Sequence, residues 1–334
     1  MKRIFGIFLC LFLLSGCGAA GEAAASTRYL TAMDTVMTLT AYGTDRDRAL
    51  DEAAAEIRRL DSLLSIGNDS SDISRLNREK TAVLSPDAAS LLGSALDLAR
   101  DTQGVFDPTV YPLVKLWGFY DKDYHVPSRQ ELSQALDLVD YREVSLGEDG
   151  QASLGPGQQI DLGGIGKGFT SQRVTELLRD AGITSAMVSL GGNIQCLGAK
   201  PDGSPWNIGI RDPFGEDVYA AVRVTDKAVI TSGGYERYFK DPETGIIYRH
   251  ILDPRTGFPA ERGLSSVTVI TSDGTLGDGL STALYIMGLE DATRYWQNHR
   301  DAFEAVFITD DGTLYATEGL RGSLTSQHDI HYLP

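Results

Sequence analysis

The stretch "QIDLGGIGKGF", residues 159–169, places four glycines and one lysine between an apolar run and a segment with helical spacing. Glycine destabilises regular elements, so this cluster indicates either a tight strand-to-helix turn or a backbone that a ligand approaches closely. No hydroxyl residue follows Lys167, so the P-loop pattern fails, as does G-x-G-x-x-G. A helix start beside one lysine favours a phosphate. Two interpretations of this segment therefore stay open: a phosphate-binding site, and a tight turn with a solvated lysine.

Composition restricts the fold and the class of ligand. The chain has 334 residues, 42% of them hydrophobic, and a net charge of −16, which allows a sizeable core and offers no basic groove for nucleic acid. Helical patterns come early and strand patterns late, which favours an α+β fold over a doubly wound parallel sheet. We expect mixed or antiparallel sheets with packed helices in one continuous unit. Cys196, which has no second thiol nearby, is predicted to be a buried core residue.

Periodicity and capping residues predict the main elements. Helices are expected over 45–64, 86–99, 128–138, 168–181, 277–287 and 290–299. Ser85 with Pro86 and the pair Ser128 and Glu131 provide the start signals of two of them. One strand is expected over 35–42, and later strands in "AMVSL", "WNIGI", "YAAVRV", "AVITS", "IIYRHI", "SVTVIT", "AVFIT" and "TLYAT".

The first residues are typical of a secretory signal. Lys2 and Arg3 precede the short apolar run 4–14, which ends in "LSGC", a pattern that looks like the lipobox of bacterial lipoproteins. Acyl chains on Cys17 would hold the protein on the extracytoplasmic face of the bacterial cell membrane. An ordinary cleavage site near Ala24 is the alternative. The predicted boundaries are a signal peptide over 1–16, a lipidated cysteine and tether over 17–27, and the folded domain over 28–334.

The segment "GDGLSTAL" contains a candidate metal site. Asp278 and Thr282 are four residues apart, so they share one face of a helix. A carboxylate and a hydroxyl are hard oxygen donors that suit Mg²⁺ or Ca²⁺. In the alternative, Asp278 caps the helix and Thr282 bonds its own backbone.

Two further segments contain candidate side chains. In "RHILDPRTGFP", His250 is either a general base or a histidine with satisfied hydrogen bonds. In "GVFDPTVYPLVKLWGF", four aromatic residues either line a pocket for a flat ring or belong to the core. They are Phe106, Tyr111, Trp117 and Phe119.

Taken together, these segments resemble the ApbE family of bacterial FAD:protein FMN transferases, which are often lipoproteins. The resemblance runs from about Met33 to Leu324. It is carried by "DSSDISRLN", "FDPTVYPLVKLWGF", "IDLGGIGKGF", "SLGGNIQCLG", "TSGGYERYF", "HILDPRTG" and "DGLSTAL". The resemblance implies an ApbE-like, T-fold-related single catalytic unit.

The resemblance also implies a reaction and its partners. Such enzymes bind FAD and a divalent cation, Mg²⁺ or Ca²⁺ in its place, split the pyrophosphate, join the FMN half to a threonine or serine of a target flavoprotein, and release AMP. The acceptors resemble flavoprotein subunits of membrane redox complexes. His250 would be the base that activates the acceptor hydroxyl. The residues expected to contact FAD are Met33, Val105, Phe106, Asp107, Asp161, Lys167 and Ile251, and the expected metal ligands are Gly164 through its carbonyl, Asp278 and Thr282.

This chain departs from the family pattern at two positions. Asp34 follows Met33 where many members have glycine, and Gly67 stands where many have an aromatic residue, so one flavin-stacking contact is expected to be missing. Gly164 replaces a frequent alanine, which a carbonyl ligand tolerates. Two other functions therefore stay open: a Mg²⁺-dependent FAD pyrophosphatase that makes FMN and AMP, and a non-catalytic flavin-binding lipoprotein.

Overall fold

The computed structural model describes residues 24–334. The predicted signal peptide, the lipidation of Cys17 and most of the predicted tether lie outside the described residues. Within the described part, none of the helices combines the length and the apolar character that crossing a bilayer requires.

Eight α-helices are present in residues 24–334. They are α1 (Arg46–Leu64), α2 (Asp72–Glu79), α3 (Pro86–Asp101), α4 (Tyr111–Leu116), α5 (Arg129–Leu136), α6 (Gly163–Asp180), α7 (Gly274–Met287) and α8 (Leu289–Asn298). Ser85 and Ser128 cap α3 and α5 as predicted, and Glu131 completes a capping box with Ser128.

The strands form one large sheet and three small ones. The nine-stranded sheet has the order β1-β2-β6-β7-β10-β13-β14-β15-β17, and only its last pair, β15 with β17, is parallel. Its strands are β1 (Ala25–Ala32), β2 (Thr35–Tyr42), β6 (Ser185–Leu190), β7 (Asn193–Leu197), β10 (Ala228–Gly233), β13 (Leu264–Thr271), β14 (Glu304–Thr309), β15 (Leu314–Thr317) and β17 (Ile330–Leu333). The small sheets contain β3 (Thr81–Val83), β4 (Ser145–Leu146) and β5 (Gln151–Ser153); β8 (Trp206–Arg211), β9 (Val218–Val224) and β16 (Leu324–Ser326); and β11 (Tyr238–Lys240) with β12 (Ile247–Arg249).

The central strand β13 is covered on both faces. All eight of its residues are buried, although the sheet around it is antiparallel. Val267 and Val269 pack with α7 in the main core, whereas Ile270 packs with β8 and β9 on the opposite face. The architecture is therefore helices, large sheet and small sheet in layers, and the predicted α+β class with mixed and antiparallel sheets is confirmed. Cys196 is buried on the β8–β9 side, as predicted.

Three predicted boundaries are wrong. The helix expected from Gly168 begins at Gly163, so the glycine cluster forms its first turns and is not a preceding loop. The helix expected from Gly277 begins at Gly274, because Asp273 accepts a hydrogen bond from the Leu276 N–H and caps it. Strand β1 begins at Ala25, three residues before the expected start of the folded domain at Arg28, because this strand pairs along its whole length with β2.

Close contact between α6 and α7 explains one of the glycines. A Cβ on Gly168 would lie 2.2 Å from the Gly274 carbonyl oxygen and 2.5 Å from Asp278 Cβ. Neither the helix backbone nor a Cβ can move aside as a flexible side chain would. Gly168 therefore sets the distance between the two helices that carry most of the candidate site residues.

We expect Gly168→Ala to lower the free energy of unfolding by about 3 kcal/mol, because the added methyl group overpacks this contact. Gly166→Ala is the matched control on the same helix, since its Cβ would meet nothing within 4 Å. The control is expected to be neutral or to stabilise by up to about 1 kcal/mol. Urea denaturation measures both values. Equal stability of the two variants would mean that the helices are not in close contact here.

Candidate active site

The first turn of α6 is fixed by the residues just before it. The Asp161 carboxylate accepts a hydrogen bond from the Gly163 N–H at 2.8 Å, and the Leu162 carbonyl accepts from the Gly166 N–H at 2.8 Å. Glycine-rich sequence has weak helix propensity, so these two bonds define the start. The turn stays partly open to solvent at Gly163 and Gly164.

Asp278 joins α7 to α6 across the helix contact. Its Oδ2 accepts a hydrogen bond from the Gly168 N–H at 2.8 Å, and the residue is only 5% exposed. Burial raises the pKa of its carboxyl group, and the positive charge of Lys167 opposes part of that rise. Asp273, not Asp278, caps the helix, so the capping alternative for Asp278 is wrong.

Thr282 lies next to Gly164. A Cβ on Gly164 would be 3.9 Å from Thr282 Oγ1 and 3.4 Å from Phe106 Cε2. The Thr282 hydroxyl is paired with the Ser232 hydroxyl at 3.2 Å, which contradicts the alternative in which it bonds its own backbone. The structure thus brings Gly164, Asp278 and Thr282 to one place, where the start of α6 meets α7.

The donor set at this place fits a hard divalent cation. No group of three or more His, Cys, Asp or Glu side chains in residues 24–334 is arranged to hold a metal ion. The predicted set contains one carboxylate, one hydroxyl and one backbone carbonyl. Oxygen donors of these three kinds are the ligands that Mg²⁺ and Ca²⁺ take, and Mg²⁺ in particular often uses few protein ligands together with substrate phosphates.

Lys167 adds a positive charge near the start of α6. Its ammonium group acts on the carboxyl group of Asp161, whose pKa burial raises and Lys167 partly lowers. It also acts on Asp278 and on His250. Lys167 lies near the start of α6, where the helix dipole favours an anion.

His250 follows β12 and is held in one tautomer. Its Nδ1 lies 3.0 Å from the Arg237 carbonyl oxygen, which can only accept, so Nδ1 carries the proton and Nε2 has a free lone pair. Burial lowers the pKa of His250 to about 4, with a further contribution from the positive charges of Arg237 and Lys167. The imidazole is therefore neutral at physiological pH and able to accept a proton at Nε2.

Two of the residues expected to contact FAD, Met33 and Phe106, lie against α6. Met33 lies beside α6, where the Thr170 hydroxyl approaches its sulfur at 3.7 Å. Val105, Phe106 and Ile251 are buried in the main core, and the Phe106 ring lies against Gly164. The contacts of these residues with FAD stay predictions.

The Asp107 carboxylate accepts hydrogen bonds from the backbone of neighbouring loops. Its Oδ1 accepts from the Thr109 N–H at 2.8 Å, and its Oδ2 accepts from the Tyr141 N–H at 3.1 Å. Burial raises the pKa of the carboxyl group, while these hydrogen bonds lower it. The carboxylate orders the loop before α4, and the predicted contact of Asp107 with FAD stays a prediction.

The aromatic residues of the same segment are mainly core, which was the alternative to a pocket for a flat ring. Trp117 is fully buried, and its indole N–H donates to the Gly257 carbonyl at 2.8 Å. Phe119 packs with Phe239 and stands edge-on to His250 with 6.5 Å between ring centroids. These rings hold the His250 strand in place.

Two polar residues of the site were not singled out from the sequence. Ser232, at the end of β10, contacts the hydroxyls of Ser281 at 2.8 Å and of Thr282 at 3.2 Å. Asn193 lies near Asp278, is 3% exposed, and its Nδ2 has no partner among the described residues. The sequence gives one signal for these two residues: Ser232 precedes and Asn193 follows a pair of adjacent glycines, in the segments "TSGGYERYF" and "SLGGNIQCLG".

Comparisons with known proteins point to one family. The model of the ApbE family matches residues 33–307. A protein named FAD:protein FMN transferase from Treponema pallidum (strain Nichols) is 33% identical, over 94% of this chain and 93% of its own length. A protein of the same name from Klebsiella pneumoniae (strain 342) is 33% identical, over 78% and 83%.

Solved structures show the same fold. The crystal structure of the ApbE protein from Thermotoga maritima superposes with a TM-score of 0.84 at 30% identity, covering 90% of this chain and 99% of that one. The apo flavinyl transferase ApbE from Pseudomonas stutzeri gives 0.81 at 28% identity, covering 91% and 98%. The family match, the two relatives and the shared fold place this chain in the ApbE family.

Proposed function

We propose that this protein is an FAD:protein FMN transferase that requires a divalent cation. It moves the FMN half of FAD onto a threonine or serine hydroxyl of a flavoprotein through a phosphoester bond and releases AMP. The observation that carries the proposal is the meeting of Gly164, Asp278 and Thr282 where the start of α6 meets α7, with the positive charge of Lys167 acting on both Asp278 and His250.

Each residue of the candidate site has its own role in the proposed reaction. His250 Nε2 takes the proton of the acceptor hydroxyl while that oxygen bonds to the flavin-side phosphorus, and the bond from this phosphorus to the bridging oxygen breaks. The bridging oxygen and its electron pair leave with AMP. Lys167 and the start of α6 stabilise the negative charge of the diphosphate. Asp278, Thr282 and the Gly164 carbonyl would hold a divalent cation. The cation would neutralise negative charge on the non-bridging phosphate oxygens.

We further propose where the enzyme works and on what. The charged and apolar pattern of residues 2–17 supports a lipid anchor at Cys17 on the extracytoplasmic face of the cell membrane. Flavoprotein subunits of membrane redox complexes that expose a threonine or serine on that side are the expected acceptors. Labelling of Cys17 with a radioactive fatty acid, lost in Cys17→Ser, tests the anchor.

The transfer assay tests the activity. Purified protein is incubated with FAD, Mg²⁺ and an acceptor flavoprotein, and the acceptor is analysed by intact mass and peptide mass spectrometry. We expect a mass gain of one FMN on one threonine or serine, with one AMP released per FMN attached. AMP release that is equally fast without acceptor, and without mass gain, would instead identify a FAD pyrophosphatase.

The pH dependence follows from the environment of His250. Only the neutral imidazole accepts a proton, so activity is lost when His250 becomes protonated. Because desolvation lowers the pKa of His250 from 6.5 to about 4, the acid limb of kcat/KM for FMN transfer that belongs to His250 should be centred near that value. Below it, kcat/KM should fall by at least about tenfold per pH unit. An acid limb centred near 6.5 that disappears in His250→Gln would contradict the lowered pKa.

A further inference from the structure

Three hydroxyl groups meet where β10 packs on α7, beside the candidate metal site. The Ser232 hydroxyl oxygen lies 2.8 Å from that of Ser281 and 3.2 Å from that of Thr282. Ser281 is fully buried, and its hydroxyl oxygen lies 2.8 Å from the Asp278 carbonyl oxygen. The four groups therefore form one continuous series of contacts, from the Thr282 side chain to the backbone of the same helix.

Packing alone does not call for these hydroxyls. The other residues of α7 that lie in the main core are apolar, among them Leu280, Ala283 and Leu284. A hydroxyl group that is taken out of water costs free energy unless it is hydrogen-bonded, so apolar side chains would close this contact at lower cost. Three hydroxyls that satisfy one another indicate a role for their protons.

The donor in each contact follows from counting protons, because a hydroxyl has only one. A carbonyl oxygen can only accept, so the Ser281 hydroxyl donates to the Asp278 carbonyl. Ser281 then offers only lone pairs to Ser232, which must donate across the 2.8 Å contact. Ser232 has thereby used its own proton, so it accepts from the Thr282 hydroxyl at 3.2 Å. All three protons point the same way along the series.

This direction matters for the Thr282 oxygen. The same oxygen lies near the start of α6, where a Cβ on Gly164 would be 3.9 Å from it. A cation is repelled by a proton that points at it and is attracted by lone pairs, so a hydroxyl ligand has to turn its proton elsewhere. With its proton directed to Ser232, Thr282 keeps its lone pairs for a cation.

We propose that Ser232 is a positioning residue for the divalent cation: it accepts the proton of the Thr282 hydroxyl in a hydrogen bond and so leaves the lone pairs of Thr282 Oγ1 to the metal. Ser281 fixes this direction, because it accepts from Ser232 and prevents the Ser232 proton from turning to Thr282. The inference rests on the proposed function, since the cation is the one that the transferase would require.

Metal affinity without turnover tests the inference. In Ser232→Ala, the Thr282 hydroxyl is free to turn to the backbone carbonyl four residues earlier, as threonine does in helices. Removal of a group that orients a metal ligand weakens metal binding by about 10- to 100-fold, so we expect that loss in Ser232→Ala. Mn²⁺ affinity is measured with saturating ADP, from the electron paramagnetic resonance signal of free Mn²⁺. ADP supplies a diphosphate and cannot react.

A conservative variant and a matched control separate orientation from structure. Ser232→Thr keeps the hydroxyl and should regain most of the Mn²⁺ affinity that Ser232→Ala loses. Thr231→Val is the control, because Thr231 is the preceding residue of β10 and its hydroxyl pairs with that of Thr268 on β13 at 2.8 Å. This variant should bind Mn²⁺ like the wild type. Unchanged Mn²⁺ affinity in Ser232→Ala, or an equal loss in Thr231→Val, would overturn the inference.

A double variant tests the series of hydrogen bonds itself. Ser281→Ala should also weaken Mn²⁺ binding, because Ser232 loses its acceptor and can turn its proton to Thr282. In Ser232→Ala with Ser281→Ala, the second change has nothing left to act on, so the loss should be no larger than in Ser232→Ala alone. Thermal midpoints verify that all variants are folded. Losses that multiply in the double variant would contradict the proposed series.

Failure of this inference can be told from failure of the proposed function. A wild-type protein that transfers FMN with Mg²⁺, while Ser232→Ala keeps its Mn²⁺ affinity, would refute only the role of Ser232. A wild-type protein that transfers no FMN, while Ser232→Ala loses Mn²⁺ affinity as expected, would refute the transferase and leave the role of Ser232 at the cation site supported.

Discussion

Asp278→Asn is expected to reduce FMN transfer by about 1,000-fold. Asparagine keeps the size of the side chain and an oxygen that accepts from the Gly168 N–H, the bond that Asp278 makes at 2.8 Å. It removes the negative charge that would hold the cation. The contact between α6 and α7 should therefore survive while the catalytic function is lost.

The binding of FAD should respond less than the rate. Lys167, the start of α6 and the expected contacts with the flavin would still hold the substrate, so we expect FAD affinity to fall by only about tenfold. Asp273→Asn is the matched control, because Asp273 lies on the same helix and only caps it, and asparagine caps a helix equally well. Full metal-dependent activity in Asp278→Asn would remove this residue from the metal site.

His250→Gln should lower kcat for transfer by about 100- to 10,000-fold while FAD binding stays close to that of the wild type. Glutamine can still donate to the Arg237 carbonyl, as His250 does at 3.0 Å, but it cannot take up the proton of the acceptor hydroxyl. A threonine hydroxyl is a weak nucleophile at neutral pH, so the loss falls on the chemical step.

The matched control for this substitution is His299→Gln. His299 also has its Nδ1 bonded to a backbone carbonyl, that of Tyr295 at 2.8 Å, and it lies after α8, away from the candidate site. Transfer by this variant should equal that of the wild type. If His250→Gln kept its full rate, another group, such as the Asp161 carboxylate, would have to accept the proton.

Local signals predicted the elements that carry the site. Ser85 and Ser128 start their helices as capping residues should, and the β-branched run 35–42 forms β2. The start of α6 was misplaced because helix propensity argues against "GGIG", and only the bond from the Gly163 N–H to Asp161 and the packing on α7 make it helical. Tertiary contacts override propensity at that point.

Contacts between distant segments could not be read from the sequence. The bond between Gly168 and Asp278 joins residues 110 positions apart, and the hydroxyl contact between Ser232 and Thr282 joins residues 50 positions apart. Spacing along one helix predicted that Asp278 and Thr282 share a face, but only the sheet order brings Ser232 to them. Only the resemblance to the ApbE family, and not the spacing along the chain, grouped Gly164 with Asp278 and Thr282.

The most direct test is a crystal structure of the protein with FAD and Mn²⁺, in which anomalous scattering locates the ion. The account predicts one anomalous peak within coordinating distance of the Asp278 carboxylate, Thr282 Oγ1 and the Gly164 carbonyl oxygen, in contact with the diphosphate of FAD, and His250 Nε2 facing the flavin-side phosphorus. An ion bound elsewhere, or a diphosphate remote from the start of α6, would contradict it.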